Sequence, residues 1–104
     1  ILNASDTATF VSGRSSGGPI RIERNNASQK HVALDENPET DMNTLEKFTL
    51  PSLIKAARDG DTENEIVTYG QIASIIHEIK SVKQIIEELF HEAEEVLGNL
   101  KLDL

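Results

Sequence analysis

The sequence predicts a mainly α protein: a small helical domain over residues 42–104, preceded by a flexible arm over residues 1–41 that carries a β-hairpin at 20–34. Three observations lead there. Helix-capping patterns and apolar residues spaced by three and four are dense after residue 42 and sparse before it. Gly and Ser cluster in the first twenty residues. The aromatics are limited to Phe10, Phe48, Tyr69 and Phe90, with no Trp, so Ile and Leu must carry any core. At 104 residues there is room for one domain.

The arm reads as a tether. Ser12-Gly13-Arg14-Ser15-Ser16-Gly17-Gly18-Pro19 has the composition of a flexible linker, because Gly widens the unfolded ensemble and Pro interrupts pairing. Ile20-Arg21-Ile22-Glu23 and His31-Val32-Ala33-Leu34 both alternate, and the turn-rich Asn25-Asn26-Ala27-Ser28 lies between them. Together they predict the hairpin, which would need a further surface to pack on. Asp35-Glu36-Asn37-Pro38-Glu39 reads as a linker.

The helical half opens with Asn43-Thr44-Leu45-Glu46, which has the character of a capping box. Pro51 suits a first helical turn, where its missing N–H costs nothing. Leu53, Ile54, Ala56 and Ala57 give an apolar face, and Gly60 is placed to stop the helix in the left-handed conformation. Glu65-Ile66-Val67-Thr68 is β-like. Thr68-Tyr69-Gly70-Gln71 then caps a helix carrying Ile72, Ala73, Ile75, Ile76 and Ile79. Ser81-Val82-Lys83-Gln84 is a further capping box, and the helix it opens should run to about Leu97, ahead of Gly98.

Ile72, Ile75, Ile79, Val82, Ile86, Leu89, Ala93, Val96 and Leu100 step by three and four without a break. Such a register suits one long coiled-coil helix. Ile76, Ile85, Phe90 and Leu97 widen the stripe, and Ser81 with Gln84 favours a break, which suits two packed helices. Ile72, Ile75, Ile79, Ile86, Leu89, Phe90 and Leu97 are the residues expected to form the core or the interface.

Leu53-Ile54-Lys55-Ala56-Ala57-Arg58 followed by Glu65-Ile66-Val67-Thr68-Tyr69-Gly70-Gln71-Ile72-Ala73 resembles the helix, short strand and helix that open a winged-helix domain. The Thr-Tyr-Gly-Gln-Ile-Ala string is similar to a segment of alkylguanine-DNA alkyltransferases. The resemblance covers residues 50–97 and implies a winged-helix fold and a role in nucleic-acid transactions. Alkyl transfer does not carry over, since that family's Pro-Cys-His-Arg motif needs a Cys and this chain has none. Where the recognition helix would lie stand Glu87, Glu88, Glu92, Glu94 and Glu95, a composition that opposes base reading.

Charge narrows the partners. The formal net charge is −8, spread along the chain, so binding to a phosphate backbone is disfavoured and a basic partner or another helix is favoured. Zero Cys excludes disulfides, thiolate zinc sites and Cys nucleophiles, and fits an intracellular, cytoplasmic protein. No apolar run approaches the roughly 18 residues of a membrane helix. Glu88-Leu89-Phe90-His91 has the Glu-x-x-His spacing of di-iron helices, but a di-iron site needs two such pairs and two further Glu. His31, His77 and His91 therefore read as ordinary side chains. Gly13–Gly18 lacks the Lys-Ser/Thr ending of a phosphate loop. No catalytic site, cofactor or metal is expected.

The expected function is a non-enzymatic protein–protein interaction and oligomerisation module with an acidic surface. It would pair with itself, as a dimer or larger, or with another protein. The alternatives are a winged-helix regulator of nucleic-acid transactions, with Arg14, Arg21, Arg24 and Lys30 of the arm as its basic groups, and an acidic inhibitor that mimics nucleic acid.

Overall fold

The computed structural model describes residues 1–101; residues 102–104 of the expected helical domain lie outside the described residues. The chain is mainly helical, with three α-helices and an N-terminal two-stranded antiparallel hairpin. β1 (Thr9–Ser12) pairs with β2 (Ile20–Glu23) in the register Thr9↔Glu23 to Ser12↔Ile20. α1 (Asn26–Glu36), α2 (Met42–Asp59), a five-residue 3₁₀ turn (Gln71–Ile75) and α3 (Val82–Asn99) follow.

The hairpin lies elsewhere than over 20–34. Its first strand is Thr-Phe-Val-Ser, and the Gly/Ser stretch is its ordered loop. His31–Leu34 belongs to α1. Asn25 decides this locally: its side chain accepts from the Ser28 N–H at 2.9 Å, and Ser28 Oγ accepts from the Asn25 N–H at 2.9 Å. This reciprocal cap starts a helix where composition alone reads as a turn. The arm is thus folded rather than flexible.

The small core sits between the hairpin, α1 and α2. Ile22, Ala27 and Ile66 are fully buried, with Phe10, Ile20, Phe48 and Leu53 packed around them. Residues 62–67 form no strand but are stitched on by polar contacts. Asn25 Nδ2 donates to the carbonyls of Thr62 and Glu65, both at 2.8 Å, and the Glu23 N–H donates to the Val67 carbonyl at 2.8 Å. Ser52 Oγ accepts from the Ile66 N–H at 2.7 Å and donates to Glu65 at 2.6 Å.

α2 is capped by Asp41, which accepts from the Thr44 N–H at 2.7 Å, so the cap lies two residues before Asn43. Pro51 falls inside the helix, and Gly60 closes it at φ +73° as expected. The helix expected after Thr68 is only the 3₁₀ turn, which has no side-chain cap. Ser81 and Gln84 cap each other, so the chain breaks before α3 rather than continuing as one long coil. α3 runs one residue past Gly98.

Candidate interaction surface

α3 is strongly amphipathic, yet none of its 18 residues is buried. It makes no substantial packing contact with any other helix or strand. The seven residues expected to form the interface all lie on this exposed region. Ile72, Ile75 and Ile79 are 67%, 67% and 88% exposed, in and after the 3₁₀ turn; Ile86, Leu89, Phe90 and Leu97 are 52–71% exposed on α3. None contributes to the core. Val82, Ile85, Val96 and Leu100 extend the same face.

The shape reflects this. The radius of gyration is 18.4 Å, against about 13 Å for a compact domain of this length. The chain exposes 7852 Å², where a compact monomer of 11.5 kDa would expose about 5,800 Å². The excess, about 2,000 Å², exceeds the roughly 800 Å² that one partner contributes to a standard protein–protein interface.

Between the segment Ile75–Lys80 and α3 lies an open groove of about 820 Å³. Ile75, Ile76, Ile85, Leu89, Val96 and Leu97 give it an apolar floor. Lys80 crosses one end, bound to Glu78 at 3.1 Å and to Glu88 at 2.5 Å. These two carboxylates raise the Lys80 pKa, so the ammonium stays charged but is compensated. Farther along, Lys83 faces Glu87 at 3.7 Å and His91 faces Glu95 at 3.4 Å, both at four-residue spacing on the outer face.

A second cluster, not singled out in the sequence, joins Ser12, His31 and Asp35. His31 is fully buried; its Nδ1 lies 2.8 Å from Ser12 Oγ, its Nε2 has no partner, and its ring centroid is 6.4 Å from that of Phe48. Burial lowers the His31 pKa, and the nearby Asp35 charge opposes that only in part. The Asp35 carboxylate accepts from the backbone N–H groups of Gly13 (3.0 Å), Ser15 (3.4 Å) and Ser16 (2.8 Å), and from Ser16 Oγ (2.8 Å). Burial favours the neutral acid, but these donors outweigh it and hold the pKa below the ordinary value.

The three residue types match a hydrolase triad, but the arrangement does not. A triad histidine bridges Ser and carboxylate through its two ring nitrogens. Here Asp35 spends its oxygens on the loop, and Ser12 is 6% exposed. The cluster is a clamp that fastens the hairpin loop to α1. The i,i+4 spacing of His31 and Asp35 was the available sequence signal, visible only once 26–36 is read as a helix. Among the described residues no group of three or more His, Asp or Glu could hold a metal ion, and no helix is long and apolar enough to cross a membrane.

No protein-family model and no curated protein matches the chain. Among solved structures it is similar to FabK from Thermotoga maritima, at 36% identity and a TM-score of 0.78, over 93% of this chain and 30% of that one. A point mutant of the same FabK matches at 32% identity and a TM-score of 0.69, over 93% and 27%. The chain thus spans about 30% of the length of the structure it matches.

This similarity overturns the winged-helix and alkyltransferase resemblance. It embraces hairpin, α1, α2 and the C-terminal segment as one arrangement, whereas the winged-helix reading took in residues 50–97 alone. The structure gives the physical reason. In the Thr-Tyr-Gly-Gln-Ile-Ala string, Thr68 to Gly70 are irregular and Gln71 to Ala73 enter an uncapped 3₁₀ turn, so the string opens no α-helix. Glu65–Thr68 pairs in no sheet, and α3 packs against nothing that would make a three-helix winged core.

Proposed function

We propose that this chain is a non-enzymatic interaction segment. Its hairpin, α1 and α2 form a small anchored core, and its 3₁₀ turn and α3 dock onto a larger protein body, as a counterpart of the part of FabK outside the match. The observation that carries this is α3, an 18-residue helix with an apolar face and no buried residue. Apolar patches of that extent are rare on free-standing monomers. FabK's own activity belongs to a chain more than three times as long and is not carried over.

Sedimentation velocity with binding of an apolar dye tests the proposal. The wild-type chain should bind the dye and associate as its concentration rises, more so at high salt, where its acidic charge is screened. Leu89→Asp should weaken both effects without moving the urea midpoint of the core, because Leu89 is 62% exposed and off the core. A wild-type chain that stays monomeric at high concentration, binds no dye and matches Leu89→Asp in every respect would end the interaction reading.

A further inference from the structure

The groove beside α3 combines an apolar floor with an acidic rim. Ile76, Ile85 and Leu89 lie in the floor, and Glu78, Glu88 and Glu92 stand at the edges. Among the described residues the lining lysine is Lys80, which pairs with Glu78 and Glu88, so the lining keeps a net negative charge and Glu92 stands outside any ion pair. α3 as a whole carries five glutamates against one lysine. A volume of about 820 Å³ falls within the range of clefts that enclose a ligand's apolar groups. An open apolar groove lined along one side by α3 and also by carboxylates suits a helix laid in it, with side chains at i, i+3 or i+4 and i+7 entering the groove.

A second copy of this chain fits the floor but not the rim. It would bring a helix with the same five glutamates against Glu88 and Glu92, and like charges facing one another across an interface oppose association. We infer that the groove takes an amphipathic helix whose apolar stripe is flanked by Lys and Arg, in preference to a second copy of this chain. The inference rests on the interaction reading above and adds the chemistry of the partner.

Two synthetic helical peptides with one shared Leu/Ile stripe test it, one flanked by Lys and one by Glu, titrated into the full chain and followed by fluorescence anisotropy. The Lys-flanked peptide should bind about tenfold more tightly at low salt, and its advantage should shrink as salt is added. The double variant Glu88→Lys/Glu92→Lys should reverse the preference while the urea midpoint of the core stays in place. Equal binding of both peptides overturns the inference. So does a stable dimer held through Leu89 that binds neither peptide, although that result would leave the interaction reading standing. A monomer that binds neither peptide, and whose Leu89→Asp variant behaves identically, removes the reading and the inference together.

Discussion

Asp35→Ala should be among the most destabilising single changes in the chain, although it removes no apolar contact. The Asp35 carboxylate is 9% exposed and accepts four hydrogen bonds, two of them at 2.8 Å. A hydrogen bond to a charged group is worth about 1.5–3 kcal/mol net, and bonds within one network do not add in full. Ser15 is exposed, so water can replace its lost partner; Gly13 is buried, so its N–H would be left without one. The expected loss is about 3 kcal/mol, a large share of the roughly 5–15 kcal/mol that holds a domain of this size together. In urea this corresponds to a midpoint lowered by about 2 M. Asp35→Asn should fall in between, since it keeps one acceptor but turns an amide N–H₂ toward the same donors. Circular dichroism across a urea series measures all three proteins. A loss below about 1 kcal/mol for Asp35→Ala would refute the clamp, since solvent would then serve the loop as well as the carboxylate does.

Two further outcomes follow from the same region. His31 has a lowered pKa, so the unfolded chain takes up a proton that the folded chain resists; stability should be full above the ordinary value of 6.5 and fall as the pH drops through the lower folded value. Urea midpoints at pH 7.5 and 5.5 should show this fall in the wild type and a smaller one in His31→Phe. Gly13→Ala should cost several kcal/mol, because φ is +86° and the added Cβ would lie 2.2 Å from the Gly18 carbonyl oxygen; a melting temperature within a few degrees of wild type would contradict it.

What could be read from the sequence follows the range of the interactions involved. The Gly60 stop and the Ser81–Gln84 cap close within four residues, so their chemistry is visible in a short window. The Asn25–Ser28 cap is just as local, but Ser at the fourth position is a weaker signal than Glu or Gln, and the alternating His31–Leu34 spoke for a strand. The amphipathic face of α3 was plain from spacing, as was the acidity of its other side.

The sequence by itself determined a mainly helical chain with an aliphatic stripe at its C-terminal end, a capping box at Ser81, and no Cys chemistry. Each of these depends on composition or on residues a turn apart. Only the tertiary structure decided that the Gly/Ser stretch is ordered, because its N–H groups are held by Asp35, about twenty positions away. The fate of residues 62–67 was decided in the same way, by Asn25 from some forty positions upstream. Tertiary structure also left Ile72, Leu89 and Phe90 exposed. The hairpin, α1 and α2 pack around Ile22, Ala27 and Ile66, and α3 makes no substantial contact with any of them.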